Sequence, residues 1–82
     1  MTEEPFLLSM WTVYDHPRDW PQWFVARRWE IRAGEVAPVR TDDMVFGRTL
    51  EIVRMHIDRI TPGLFRLPRQ PGDDPVVVET WV

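Results

Sequence analysis

The chain has 82 residues, no cysteine and a formal net charge of −3, and these three properties exclude several classes of protein. The length allows a single domain over residues 1–82, and the absence of thiols excludes disulfide-stapled folds and thiolate metal sites and is typical of the reducing cytoplasm. The negative charge disfavours nucleic-acid binding through bulk electrostatics, and no apolar run approaches the roughly 20 residues of a membrane span.

The N-terminal half predicts two neighbouring strands joined by a proline-rich loop. Residues 6–14 are rich in aromatic and β-forming side chains and predict the first strand, with apolar groups on both of its faces. Residues 15–21 hold two prolines and two aspartates, which predict a loop. Residues 22–32 predict the clearest strand, because large apolar residues such as Trp29 recur at every second position. Arg27 interrupts that apolar face.

The middle of the chain predicts little regular structure before one helix. Residues 35–43 are polar and turn-like, since Pro38 and the Asp42-Asp43 pair argue against a strand. Residues 44–46 predict at most a very short strand, which would end at Gly47.

Residues 49–60 predict an amphipathic helix. Thr49 is a suitable N-cap and Glu51 lies in the first turn, where it complements the helix dipole. The apolar side chains fall at helical spacing on one face, namely Leu50, Val53, Ile57 and Ile60. On the polar side Arg54 can meet Asp58 at i+4.

The C-terminal part predicts a final strand inside the sheet. Pro62-Gly63 ends the helix, residues 64–67 are a short extended stretch, and residues 68–75 form a second loop. Residues 76–82 are β-branched and would be poor material for an exposed edge. The predicted fold class is α+β, a small antiparallel or mixed β-sheet with one helix packed on one face, in the order β-β-short β-α-β.

The sequence indicates no catalytic site, no metal site and no cofactor. His16 between Asp15 and Asp19 lacks a second cluster that would complete a site, and these aspartates are better read as turn caps. His56 borders the apolar helix face and is expected to be a partly buried structural histidine. The acidic pairs Asp42-Asp43 and Asp73-Asp74 lack the spacing of a calcium loop and are expected to initiate turns.

The most suggestive cluster is basic and aromatic. It consists of Arg18, Trp20, Trp23, Phe24, Arg27, Arg28, Trp29 and Arg32. Three interpretations stay open: packing of arginine stems over rings within the sheet, a protein-contact surface, and a platform that stacks the bases of single-stranded nucleic acid. Two further residues are candidates for partner contact, because Met55 projects away from the apolar helix face and Trp81 shares the strand parity of Glu79, which predicts exposure.

Two stretches carry a resemblance to a known group of proteins. Residues 11–30, WTVYDHPRDWPQWFVARRWE, and residues 67–81, LPRQPGDDPVVVETW, resemble a small uncharacterised protein family of GC-rich bacteria and their prophages. The resemblance brings no functional residues with it. It implies a phage or mobile-element accessory role, such as inhibition of a bacterial defence protein.

Three functional hypotheses follow. The leading one is a non-enzymatic protein-binding module that contacts another protein or a second copy of itself. Its candidate contact residues are Trp20, Trp23, Arg27, Arg28, Met55 and Trp81. The alternative is a single-stranded nucleic-acid binder that uses the arginine- and aromatic-rich strand. The third is a small metal-dependent hydrolase built on His16 and the acidic pairs. No membrane partner is predicted.

Overall fold

A computed structural model of the chain describes residues 6–82, and side chains from Leu8 onward. Residues 1–5 lie outside this range. The described elements are β1 (Phe6–Asp15), β2 (Phe24–Arg32), β3 (Val39–Gly47), α1 (Leu50–Ile60), β4 (Arg66–Pro68) and β5 (Val77–Trp81).

The five strands form one antiparallel sheet with the order β3-β2-β1-β5-β4. β1 is the central strand, and β5 lies between β1 and β4, so the expectation that the last strand pairs inside the sheet is confirmed. α1 connects one edge strand to the other and packs on one face. The predicted α+β class, a sheet with one helix on one face, is therefore confirmed.

The prediction of a very short third strand is wrong. β3 runs for nine residues and includes the Asp42-Asp43 pair. β3 lies at the edge of the sheet, and its pairing with β2 is irregular where Arg27 faces Met44 and Trp29 faces Arg40. Between those two pairs, Thr41-Asp42-Asp43 bulges opposite the single residue Arg28. A bulged edge strand tolerates aspartates that a central strand would not.

A further strand, β4, joins the end of the stretch that the sequence predicted as extended, residues 64–67, to Pro68, which was predicted as the start of a loop. It has three residues and includes Pro68, which is tolerated because β4 is the other edge of the sheet. Short length and proline are two features that protect a sheet edge from pairing with further chains.

The core lies between α1 and the middle of the sheet. Trp11, Val13 and Ala26 from the strands meet Val53 and Ile57 from the helix, and all five are fully buried. Burying a large side chain stabilises a fold by about 1.5–3 kcal/mol, so this small cluster supplies much of the driving force. The indole N–H of Trp11 donates to Thr61 Oγ1 at 3.1 Å, which ties the central strand to the C-cap of α1.

The predicted helix matches α1 closely. Thr49 is the N-cap, and its side chain accepts a hydrogen bond from the backbone N–H of Ile52 at 3.3 Å. Val53 and Ile57 are the buried positions of α1. Ile60, at the last position of the helix, is more than half exposed, so the apolar stripe is covered only over its first part.

Arg54 does not pair with Asp58 but reaches across to the sheet. Its Nε and Nη2 donate to the two carboxylate oxygens of Glu79, at 3.0 and 2.7 Å, and Trp81 Nε1 donates to Glu79 at 2.9 Å. The Glu79 side chain is 4% exposed and that of Arg54 is 30% exposed. Burial alone would raise the pKa of Glu79, but the hydrogen bonds from Arg54 and Trp81 outweigh it and hold the pKa below its usual value.

Gly47 is buried where β3 ends against the first turn of α1. A Cβ atom at this position would lie 2.9 Å from Ile52 Cγ2 and 3.0 Å from Val53 Cγ2. Both neighbours are β-branched and have little rotamer freedom in a helix. The absence of a side chain at Gly47 therefore sets how closely the helix approaches the sheet.

We expect the two halves of the Arg54–Glu79 pair to respond unequally to substitution. R54M should cost about 3 kcal/mol at neutral pH because it leaves a buried carboxylate without its cation, and E79Q should cost about 1–2 kcal/mol because Arg54 remains partly solvated. Since the folded pKa of Glu79 is depressed, its stabilising contribution is full above the unfolded pKa, near 4.3, and is lost as the pH falls through the folded value.

Urea unfolding at pH 7.5 and pH 4.5 gives the free energy of unfolding of both variants and of the parent chain. In R54M the carboxylate keeps the desolvation that raises its pKa, so protonation relieves the strain, and the gap between R54M and the parent should narrow at the lower pH. The proposed role of the pair is contradicted if E79Q loses as much stability as R54M or more. It is also contradicted if the stability difference between R54M and the parent is the same at both pH values.

We expect G47A to destabilise the fold by about 1–3 kcal/mol through overpacking against α1. I52A should cost little alone, because Ile52 is partly exposed and alanine favours helix. In the I52A background the cost of G47A should fall, since the nearest methyl group is gone. A double-mutant cycle by thermal or urea unfolding tests this, and strictly additive penalties would rule the contact out.

Candidate functional site

The two faces of the sheet carry different side chains where they are exposed. On the face that packs against α1, the area that the helix does not cover carries charged side chains that form ion pairs with one another. Arg28 binds Glu30 and Asp43 at 3.0 and 2.6 Å, and Arg32 binds Glu30 at 2.7 Å. These contacts hold the pKa of Glu30 below its usual value, chiefly through the hydrogen bond from Arg32. This part of the face is therefore polar and its charges are mutually satisfied.

The opposite face, here called the open face, is not covered by any helix among residues 6–82. Cross-strand partners share a face, so the register places Leu8 beside Ile31 and Met10 beside Trp29 there. Leu67 lies on the same face, because it pairs with Thr80 and Thr80 pairs with Thr12. Phe65 continues the same side, because it exchanges backbone hydrogen bonds with Val82 at 2.7 and 2.9 Å.

The open face exposes large apolar side chains to solvent. Phe65 is 76% exposed and Leu8 is 44% exposed, and Leu67 and Val82 are also exposed. Met10, Trp29 and Ile31 are half-buried. A cluster of exposed apolar groups on one sheet face marks a contact surface more often than isolated exposed residues do.

A cavity of about 280 Å³ lies at one corner of the open face. Its floor is formed by sheet side chains and its wall by the loop between β1 and β2, with a contribution from the residue before β5. The lining residues are Tyr14, Pro17, Asp19, Trp20, Val25, Arg27, Trp29, Arg40, Met44 and Val76. The loop is held in place by turns in which Trp20 N donates to Pro17 O and Trp23 N donates to Trp20 O, at 2.9 and 3.1 Å.

Arg27 is the cationic centre of the cavity. Its Nη1 donates to the backbone carbonyl of Thr41 at 2.9 Å, and its Nη2 contacts Met44 Sδ at 3.1 Å. Both acceptors are neutral, so they fix the guanidinium without cancelling its charge. Arg40 stands opposite Trp29 in the register and is exposed. Among residues 6–82 neither of these two arginines forms a salt bridge.

Two aromatic side chains of the cavity carry hydrogen-bond donors, and they differ in accessibility. Burial raises the pKa of the Tyr14 phenol, although Arg27 opposes the shift, so Tyr14 keeps its O–H proton at neutral pH. Trp29 contributes its ring to the lining, while its Nε1 is buried and has no hydrogen-bond acceptor within the described residues.

The predicted contact residues are distributed over three surfaces. Trp20 and Arg27 both line the cavity. Trp23 lies next to it, edge-on to Phe46 at 6.2 Å between ring centroids and under the Arg48 guanidinium at 4.7 Å. Arg28 belongs to the ion-pair set on the helix side.

Met55 and Trp81 lie away from the cavity. Met55 is 61% exposed on the outer side of α1, as its helical position predicts. Trp81 was expected to be exposed because it shares the parity of Glu79. That expectation is wrong, because the face that bears Glu79 is the one that α1 covers, so Trp81 is half-buried and its N–H is used by Glu79.

His16 and the Asp73-Asp74 pair have local structural contacts. His16 contacts the Asp15 carboxylate and the Phe24 ring. Asp73 and Asp74 accept from the backbone N–H groups of Gln70 and Val76, at 2.9 and 3.0 Å, which agrees with the turn role expected of them. No group of three or more potential metal ligands occurs within residues 6–82.

Sequence reasoning missed Tyr14 and Arg40 as members of the site. Tyr14 was placed on a strand whose two faces both looked apolar, and Arg40 lay in a segment read as a turn. The signal that could have found Tyr14 is its alternation with Met10 and Thr12, which places all three on one face. Arg40 needed the register of β3, which the bulge hides.

Within the part of the chain that the structure describes, no helix is long and apolar enough to cross a membrane. Comparison with models of protein families, with curated proteins and with solved structures finds no match to this chain. The candidate site therefore stands on its own geometry.

Proposed function

We propose that this protein is a non-enzymatic protein-binding module and that the open face is its binding surface. The observation that carries the proposal is the contrast between the two faces. Where the helix side of the sheet meets water, the chain places Arg28, Glu30 and Arg32 in ion pairs. The open face instead presents Leu8 and Phe65 to solvent, and apolar groups of this kind are stabilised when another protein removes them from water.

The surface combines features that protein interfaces favour. Interface centres are enriched in aromatic residues, methionine and arginine and depleted of lysine and glutamate. The open face has Trp29, Met10 and Arg27 near its centre. Tryptophan, tyrosine and arginine are also the residues that most often dominate binding energy, and Tyr14 and Trp20 complete that set around the cavity.

An accessory role in GC-rich bacteria or their prophages, which the sequence resemblance of residues 11–30 and 67–81 implies, would make the partner a bacterial protein, and within that class a defence protein that the chain inhibits in the cytoplasm. The absence of cysteine supports the same compartment. A second copy of the chain would bury the same apolar groups and is the other protein partner that the test below identifies.

The alternative function is binding of single-stranded nucleic acid at the cavity. It is favoured by one observation, the combination of the Tyr14, Trp20 and Trp29 rings with Arg27 and Arg40, since rings and arginines together stack and hold single strands. Two facts weaken it. Arg28 and Arg32 face the other side of the sheet and are bound to carboxylates, and the net charge is −3.

We expect charge introduced on the open face to weaken partner binding at least tenfold while the fold remains intact. L8E and F65E alter exposed residues there, and M55E is the matched control because it places the same charge on an exposed apolar residue of α1. The partner is captured from a lysate of the native host, identified by mass spectrometry, purified, and titrated calorimetrically against each variant. Sedimentation velocity of the chain alone tests self-association with the same variants.

Loss of affinity in L8E and F65E with parental affinity in M55E supports the open face as the interface. Parental affinity in both open-face variants, or loss only in M55E, contradicts it. Fluorescence anisotropy with a labelled thymidine oligonucleotide at low salt tests the alternative, because nucleic-acid binding should appear there and weaken steeply as salt is added.

A further inference from the structure

The charges around the cavity favour a singly charged anion as its occupant. Arg27 and Arg40 line it together with Asp19, which leaves one net positive charge. A phosphate monoester carries close to two negative charges at neutral pH and would be left undercompensated, whereas a carboxylate matches the balance.

The donors that such an anion needs are already fixed. Arg27 has five N–H donors, and its two contacts to Thr41 and Met44 orient the planar group while leaving donors unused. A guanidinium held in this way can bind a carboxylate through two parallel hydrogen bonds. Tyr14 keeps a phenolic O–H, which is a further donor on the cavity lining.

The other residues of the cavity lining indicate which chemical group carries the anion. The rings of Tyr14, Trp20 and Trp29 and the side chains of Val25 and Met44 make about half of the cavity lining apolar. A volume of about 280 Å³ has room for one large side chain.

We infer that the cavity receives a carboxylate borne on an apolar or aromatic group, and that an acidic segment of the protein partner delivers it. The inference rests on the proposed function for the source of the carboxylate, while the chemistry of the cavity stands without it. A partner segment that places an acidic side chain next to an apolar one would seat its carboxylate on Arg27 and Arg40 and cover the neighbouring open face.

The test uses phenylacetate as the probe and phenylacetamide, its neutral analogue of the same shape, as the matched ligand. Each is titrated into the full chain labelled with ¹⁵N, and amide and indole shifts are followed by NMR. We expect saturable shifts at Tyr14, Arg27 and the Trp29 indole with phenylacetate, and at least tenfold weaker binding of phenylacetamide.

Variants separate the cavity from general electrostatics. R40Q removes an exposed arginine that has no salt bridge in the described residues, so the fold should tolerate it, and phenylacetate binding should weaken about tenfold. R27K keeps the charge but loses the planar fork and should also weaken binding. R59Q changes the net charge equally on the exposed side of α1 and should leave the affinity unchanged.

Equal binding of phenylacetate and phenylacetamide, no shifts at tens of millimolar, or an R59Q effect as large as that of R40Q would overturn the inference. Tighter binding of phenyl phosphate than of phenylacetate would also overturn it and would favour a nucleotide in the cavity. These outcomes leave the proposed function intact as long as L8E and F65E still weaken binding of the purified partner, so the two proposals can fail separately.

Discussion

The structure depends on the packing of one short helix against the middle of one sheet face. Val53 and Ile57 meet Trp11 and Val13 there, and the Trp11–Thr61 hydrogen bond and the Arg54–Glu79 pair fix the helix in position. An 11-residue helix is about 16 Å long at 1.5 Å per residue, whereas the 10 residues of β1 extend about 33 Å. The helix in the described part of the chain therefore covers part of one face and leaves the other face open.

The areas of the sheet that α1 does not cover carry two chemically distinct sets of side chains, and the proposed function rests on this difference. Beyond the helix, Arg28 and Glu30 satisfy one another, which makes that surface compatible with water. On the open face the chain keeps apolar side chains and leaves Arg27 with neutral acceptors only. Half-buried arginine without a carboxylate is costly to desolvate, and its retention beside a cavity is explained if an anion from outside completes its coordination.

The local pattern was sufficient for the helix and for the alternation in β2, because each follows from a strong periodicity over ten or more residues. Prediction from the local pattern failed where contacts between distant parts of the chain determine the structure. The length of β3 depends on its edge position and bulge, which make Asp42 and Asp43 acceptable in a strand. The faces of β1 could not be ranked, because both are apolar. Arg27 and Arg28 were grouped into one cluster because they are adjacent, yet adjacent strand residues point to opposite faces, and only Arg27 reaches the candidate site.

The core and the proposed binding surface lie on opposite sides of the same strands, and this separation makes the proposed function accessible to mutation. Trp11 and Val13 hold the core from one face of β1, while Met10, Thr12 and Tyr14 belong to the open face. Substitutions at exposed open-face positions remove few core contacts and should change the free energy of unfolding by less than about 0.5 kcal/mol, the usual range for surface sites. A chain with its binding residues in the core would not allow that, because each binding variant would also unfold it.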